Sequence, residues 1–315
     1  MIVTVITPSY NQGRYLAETI ESVLVQEGDF HLDYIIVDGG STDDSVELIK
    51  HYQRLLNEGA WQVKCGRVNY RWVSEKDRGQ TDALMKGFRM AEGEILAWLN
   101  SDDTYLTDAL QKVVNVFSSE PEVSVLYGRT YYTDTKSGIL GQYPTEPFNY
   151  KRLAMFNFVC QPSTFFRKSA FESAGGLDVS LRYVMDYDLW IRLAKQFEFR
   201  YMPEFLSTYR LHEESKTIST RDALANHKEV LDAAIRYYNW APLNRVYSYC
   251  NQLLKARLPN ALRKFNGLMI FLSVPFSIFK YVILNRGIRL DDVKMINRSN
   301  LRKMLMTQID IYKEY

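Results

Sequence analysis

Short runs of β-branched and aromatic residues alternate with amphipathic stretches through the first hundred positions of the chain. Ile2–Thr7 reads as a strand, and Arg14–Gln26 as a helix with Leu16, Ile20, Val23 and Leu24 on one face. Asp33–Asp38 (DYIIVD) is a second strand, followed by a helix over Asp43–Asn57 whose Val46, Ile49 and Leu56 turn inward. A strand over Tyr70–Ser74, a helix over Gln80–Met90 and a strand over Ile95–Leu99 complete a βαβαβαβ series. Gly59–Arg67 reads as a surface excursion within it. Near-continuous apolar strands separated by helices predict an α/β fold: a mixed, mostly parallel sheet flanked by helices.

The rhythm changes near Asp108. A helix over Asp108–Ser118, a strand over Val123–Tyr127, the turn-rich Tyr131–Tyr143 and a strand over Ser163–Phe166 suggest hairpins on the sheet's other side. Asp186–Lys195 reads as a helix, and Phe197–Met202 and Phe205–Leu211 as two late strands. Beyond residue 215 the pattern is helical, over 216–239 and 243–257 and then an apolar segment. The expected organisation is an α/β domain over 1–215, divided near residue 106, and a helical C-terminal region over 216–315.

Length and composition narrow this picture. The 315 residues hold one large α/β domain and an appendage, and the hydrophobic share (46%) suffices for a sizeable core. Cys65, Cys160 and Cys250 are too few and too scattered for a disulfide framework or a zinc cluster. The chain opens on Ile2–Ile6 without a basic region or apolar core of a signal peptide, so a cytoplasmic place is expected. A net charge of +2 gives no reason to expect nucleic acid. The charge is uneven, however. Between Lys255 and Lys303, eleven Lys and Arg face only Asp291 and Asp292, a local +9.

Within that basic region Gly267–Leu284 (GLMIFLSVPFSIFKYVIL) is mostly apolar over nearly the length of a membrane span. Pro275 and Lys280 interrupt it, and Arg263, Lys264, Arg286 and Arg289 flank it on both sides. These features favour an interfacial helix pair or re-entrant element on an anionic membrane surface, the inner face of the cell membrane. Packing within the protein, and a true span, are the competing readings.

The first four strands each end in a polar cluster: TPSYNQ (7–12), DGGSTD (38–43), EKDRGQ (75–80) and NSDD (100–103). Parallel strands bring such ends to one edge, where ligands bind. Any one cluster is an ordinary turn and helix start; four on one edge form an acidic shelf. No G-x-G-x-x-G or P-loop accompanies it, so a dinucleotide site is not indicated. Adjacent carboxylates at Asp102 and Asp103 repel one another unless a cation or strong hydrogen bonds lie between them. A hard divalent ion, Mg²⁺ or Mn²⁺, suits them together with phosphate oxygens.

Five stretches then resemble one family, the inverting family 2 glycosyltransferases with the GT-A fold. They are ITPSYNQGRYLAETIESVLVQ, VDGGSTDDS, SEKDRGQTDALMKGF, LNSDD and GGLDVSLRYVMDYDLWIRLA, in that order over roughly residues 1–212. The resemblance implies metal-dependent transfer of a sugar from a nucleotide diphosphate donor, uridine being the expected nucleotide. The implied acceptor is a saccharide or lipid-linked molecule, as in cell-surface polysaccharide or glycolipid synthesis. By the same resemblance Thr7, Pro8 and Tyr10 line the base, Asp38 and Asp77 hydrogen-bond it, and Gln80 joins the nucleotide-binding set. LNSDD matches the family's D-x-D element, with Asp102 and Asp103 dividing ribose contact and metal binding. Asn100 stands where the commoner D-x-D-D form has its first Asp. His212 is implied as a third metal ligand or diphosphate contact, with Lys216 or Arg210 near the phosphates, and Gln161 (VCQPSTFF) as an acceptor residue.

Transfer to a hydroxyl requires a general base beside the acceptor. Asp186 begins a helix and shares a face with Trp190 and Leu193, which turns it toward the packed side. On spacing alone a helix N-cap fits it equally well; similarity to the family's Glu-Asp motif points to the base. Met185 occupies the Glu position of that motif. Asp188 has Arg192 at i+4 and reads as structural. Two rival functions stand beside a transferase. A nucleotidyltransferase of related fold would carry a Gly-rich basic loop after the first strand, and TPSYNQG lacks it. A non-catalytic sugar-nucleotide binder or scaffold would have no need of the carboxylates.

Overall fold

The N-terminal runs form strands β1 (Ile2–Ser9), β2 (Gly28–Asp38), β3 (Cys65–Ser74) and β4 (Ile95–Trp98). Helices α1 (Gly13–Leu24), α2 (Ser45–Asn57) and α3 (Gln80–Met90) join them. This is a computed structural model, and it describes residues 1–213, 215, 222–290 and 292. Lys216 therefore lies outside the described residues. After β4 come β5 (Thr104–Tyr105), α4 (Ala109–Ser119), β6 (Val125–Thr133), β7 (Ile139–Gln142) and α5 (Tyr150–Met155). Then follow β8 (Thr164–Arg167), α6 (Lys168–Ser173), α7 (Met185–Ala194) and β9 (Phe199–Arg210).

The strands make one sheet in the order β3-β2-β1-β4-β8-β6-β9-β5, with β7 on β6. β3, β2, β1 and β4 are parallel, so their carboxyl ends share an edge. β8 pairs antiparallel with both β4 and β6, and β9 runs parallel to β6. The core explains this register: Val3, Val5, Ile36 and Ala97 of the strands pack with Leu16, Ile20 and Leu110 of the helices, all fully buried. Burial on both faces is why the strands read as unbroken apolar runs.

Three expectations are corrected. The break placed between Met202 and Phe205 is instead a bulge within the single strand β9, where register shifts as Pro203 and Glu204 pass Gly128. A Cβ on Gly128 would lie 2.6 Å from Leu206 Cδ1, so the missing side chain lets the strand close. Secondly, β3 begins at Cys65, inside the supposed excursion. Thirdly, no division falls at residue 106. β4 pairs with β8 and β5 with β9, so the two halves interleave in one sheet.

The chain separates into two units: Met1–Phe148 with Phe158–Leu211, and Asn149–Asn157 with the described residues from His212 onward. The boundary thus lies after Leu211 rather than 215, and α5 belongs to the second unit. Its Ala154 and Met155 cluster with Trp240, and Met155 O accepts from Asn244 Nδ2 at 2.6 Å. The second unit contains α8 (Ala223–Tyr238), α9 (Leu243–Arg257), α10 (Asn260–Arg263) and α11 (Asn266–Asn285). The apolar segment is one continuous helix with Pro275 inside it, not the anticipated pair. The helix packs along α9, and Pro275 stands on its exposed side.

Candidate active site

The loops after β1 and β2 are laced together. Asn11, at φ 52°, donates its backbone N–H to Ser41 Oγ (2.8 Å) and accepts from Thr42 N on Oδ1 (2.8 Å). Asn tolerates this left-handed conformation better than most residues. The fully buried Asp38 accepts from Gly40 N (3.0 Å), Ser41 N (2.9 Å), Ser41 Oγ and Ser74 Oγ (2.6 Å). Oδ2 takes three of these bonds and Oδ1 takes one. Asp38, expected to hydrogen-bond the base, also braces the loop.

Tyr10 and Asp77 meet beyond that loop. A Cβ on Gly39 would lie 2.6 Å from Asp77 Oδ2 and 3.4 Å from Tyr10 Cδ2, so three strand ends converge on one point. Asp77 Oδ1 accepts from Gly79 N at 2.7 Å, leaving Oδ2 aimed toward Gly39. Tyr10 is 60% exposed, a flat apolar face with water on one side. Thr7 and Pro8 are buried behind it, with Thr7 Oγ1 hydrogen-bonded to Tyr34 OH (3.1 Å). Gly39→Val should push Asp77 and Tyr10 apart and weaken nucleotide binding about tenfold, an overpacking effect of about 1–3 kcal/mol. Titration of nucleoside diphosphates into wild type and variant measures it.

The turn after β4 is the most heavily braced part of the edge. Asn100 Oδ1 accepts from Gln80 Nε2 (2.7 Å), while its Nδ2 donates to Gln161 Oε1 (3.0 Å) and Asp103 Oδ2 (3.3 Å). Gln161 Nε2 donates in turn to Trp98 O (2.6 Å). Gln80 and Gln161, expected on opposite sides of the reaction, are therefore joined through Asn100. Arg210, 1% exposed, holds the turn from behind. Its backbone N–H donates to Asp103 Oδ1 (3.0 Å), its Nε to Asp102 O (2.9 Å) and its Nη2 to Glu18 Oε2 (2.6 Å). Thr19 Oγ1 donates to Asp103 O (2.8 Å). The expectation of Arg210 beside phosphates is corrected: Glu18 and the turn already engage its guanidinium.

The two aspartates are not equivalent. Asp103 is fully buried, whereas Asp102 is half-buried. Burial, and then the neighbouring Asp102 charge, push the Asp103 carboxyl well above the usual carboxylate range. The pair sets two carboxylates in one turn, with the Arg210 charge acting on Asp103. Its oxygen donors match the hard ligands that Mn²⁺ or Mg²⁺ takes. Among the described residues no group of three or more His, Cys, Asp and Glu is arranged to hold an ion, and His212 belongs to the second unit.

Asp186 lies in the first turn of α7 and is half-buried. That helix rests on β4: Trp190 stacks on Trp98 with ring centroids 5.5 Å apart and planes 19° apart. Asp186 and the Asn100–Asp103 turn are in this way fixed to the same strand. Beneath them sits Cys160, whose thiol is pushed well up by burial and, further, by the charges of Asp103 and Asp186. One buried group feels both carboxylates. Asp188 is fully buried and accepts from Arg192 Nε at 2.8 Å, the structural pairing anticipated from their spacing.

The curated relatives include chondroitin synthase of Escherichia coli, 23% identical over 83% of this chain and 37% of its own. Another is the putative teichuronic acid biosynthesis glycosyltransferase TuaG of Bacillus subtilis, 34% identical over 30% of this chain and 34% of its own. The chain spans about a third of the length of the curated relatives it matches. Among solved structures, S. aureus TarS 1–349 with UDP-GlcNAc superposes at a TM-score of 0.57 and 14% identity, over 91% of this chain and 90% of that one. Mannosyltransferase PcManGT from Pyrobaculum calidifontis, solved with GDP-Man and Mn²⁺, gives 0.55 and 15%, over 94% and 88%. These likenesses establish a GT-A fold. The family model "Glycosyl transferase family 2" matches residues 4–174, more than half of the chain, and the chain belongs to that family.

Proposed function

We propose that this chain is a metal-dependent inverting glycosyltransferase that takes a sugar from a nucleotide diphosphate donor. The observation that carries the reading is the attachment of two chemistries to one strand: the Asp102–Asp103 turn follows β4 directly, and the helix of Asp186 is stacked on the same strand through Trp98 and Trp190. The base of the donor lies against Tyr10, within reach of Asp77 Oδ2 and the backbone beside Gly39. Thr7, Pro8 and Asp38 form the wall and loop that hold Tyr10 and Gly39 in place. Asp102 and Asp103 would hold Mn²⁺ or Mg²⁺, with donor oxygens completing its shell. When bound, such an ion offsets the charge growing on the departing diphosphate.

The chain's own residues account for the rest. Asp186 takes the proton of the acceptor hydroxyl as that oxygen bonds to the anomeric carbon. The bond from this carbon to the diphosphate oxygen breaks, its electron pair leaves with the diphosphate, and the anomeric centre inverts. Gln161, anchored to Trp98 O, positions the acceptor side through Asn100. The printed ligands of the structural neighbours, UDP-GlcNAc and GDP-Man, support a nucleotide-sugar donor, with uridine first. The chondroitin and teichuronic acid relatives support a saccharide or lipid-linked acceptor in polysaccharide synthesis. The test is release of nucleoside diphosphate from UDP-, GDP- and dTDP-sugars with Mn²⁺, Mg²⁺ or a chelator. One donor should turn over, and chelation should slow it at least about a hundredfold. Full turnover in chelator would refute the ion's role, and no turnover of any donor would refute the transferase.

A further inference from the structure

Helix α11 is inside out for a helix bathed in water. Its inward stripe, Met269, Ser273, Ser277 and Tyr281, is spaced by four residues and buried. Three of these four carry polar groups, and each is satisfied within the second unit. Ser273 Oγ accepts from Asn251 Nδ2 of α9 (3.1 Å), Ser277 Oγ donates to Ser273 O, and Tyr281 OH donates to Asp292 Oδ2 (2.7 Å). Asn285 Nδ2 extends the stripe to Ala241 O (3.0 Å). The opposite stripe, Phe271, Pro275, Ile278 and Val282, is wholly apolar and exposed, with Phe279 and Ile283 beside it. Phe271 is 73% exposed, Phe279 65% and Ile283 59%. A helix in water normally turns its apolar stripe to the core and its polar one outward. Here the two are exchanged, and the apolar face exceeds the scattered single hydrophobes usual on a surface.

The charges around this face identify what covers it. From Lys255 to Leu290 the chain has Lys255, Arg257, Arg263, Lys264, Lys280, Arg286 and Arg289, and no acidic residue. Arg263 and Lys264 precede the helix and Arg286 follows it, so cations bracket both ends of the apolar stripe. A second copy of the same face would set seven like charges against seven. An anionic bilayer answers both features at once, taking the apolar stripe below its headgroups and the cations among them.

We infer that α11 lies in the plane of an anionic lipid surface, with Phe271, Ile278, Phe279, Val282 and Ile283 buried at the headgroup–acyl boundary. It lies on the membrane and does not cross it. The 20-residue helix is long enough to span, with a mean hydropathy of 1.9 over its most apolar window. Spanning, however, would strip Ser273, Tyr281 and Asn285 of their partners on α9, Asp292 and Ala241 and leave polar groups in hydrocarbon. This inference does not depend on the donor or on the reaction proposed above.

Flotation of the full chain with vesicles of phosphatidylcholine, and of phosphatidylcholine mixed with phosphatidylglycerol, tests it. The chain should float with the mixed vesicles only, release in high salt, and wash off at alkaline pH. Phe271→Glu with Phe279→Glu should weaken this binding at least about tenfold, since both rings leave the boundary region. Both positions are exposed, so the variant should melt as the wild type does, and Ile139→Glu, an exposed apolar residue of the first unit, should bind unchanged. Equal binding by wild type and double variant, or no binding to the mixed vesicles, overturns the inference. So does retention through the alkaline wash, which marks a span, or a dimer in solution that the double variant dissolves without any vesicle binding.

Discussion

Asp186→Asn should abolish sugar transfer while leaving the donor bound. Asparagine keeps the size and the position of the side chain, and the Trp98–Trp190 stack that fixes α7 is untouched. What is lost is the only function an amide cannot perform, acceptance of the acceptor's proton. General-base removal costs about a hundred- to ten-thousand-fold in rate. The decisive comparison is kcat for transfer against the affinity for nucleoside diphosphate, measured on the same preparation. A fall in kcat with unchanged affinity assigns the base; normal turnover removes Asp186 from that role.

Asn100→Asp should damage the site although it restores the family's commoner D-x-D-D form. Asn100 donates to two acceptors, Gln161 Oε1 and Asp103 Oδ2, and accepts from Gln80 Nε2. An aspartate can satisfy only the last. It would also place a third carboxylate beside Asp103, whose carboxyl burial and Asp102 already push well up. If Gln161 rotated its amide to donate, its bond to Trp98 O would be lost. Loss of the donors and the added repulsion should cost about 2 kcal/mol, allowing for partial exposure. That corresponds to a melting temperature lower by about 4–8 °C.

The pH dependence of this deficit has a definite sign. Carboxyls raised in the folded state favour the protonated form there. Their stabilising share is full below the unfolded carboxylate pKa and is lost as pH rises through the higher folded value. The deficit of Asn100→Asp should therefore be smaller near about pH 5 than near about pH 8. Thermal melts at the two values check it, and a deficit independent of pH would contradict the like-charge explanation.

Much of the fold was legible because its physics is local. β1, β2 and β4 are buried on both faces, and their apolar runs announce this directly. The four polar strand ends followed from parallel order alone. The bulge in β9 reads as a break in the sequence, since the compensating Gly128 sits on another strand. Strand β5 has only two residues, too few for any pattern, yet it carries the turn into the sheet through Thr104 paired with Thr208.

The site was legible in its residue types and less so in their tasks. The resemblance implies Lys216 or Arg210 near the phosphates, and nothing local shows that Arg210 pairs with Glu18, 192 positions away. Asn100 was seen as a departure from a motif, but its partners Gln80 and Gln161 stand 20 and 61 positions off, so its bridging role had no local signal. Asp38 illustrates the same limit, since the bonds by which it braces its loop and reaches Ser74 of β3 leave no mark in the sequence. Met269, Ser273, Ser277 and Tyr281 stand at four-residue spacing, a pattern the apolar run around them masks. Its meaning depended on which side of α11 faces α9.

The central claim is that the Asp102–Asp103 turn holds the donor's diphosphate by way of a divalent ion. Calorimetric titration of UDP into the wild type and into Asp102→Asn, each with Mn²⁺ and with chelator, measures this directly. The account predicts affinity at least about tenfold tighter with Mn²⁺ in the wild type, and little or no such gain in the variant. Equal affinity with and without the ion in the wild type, or an undiminished gain in Asp102→Asn, would contradict it.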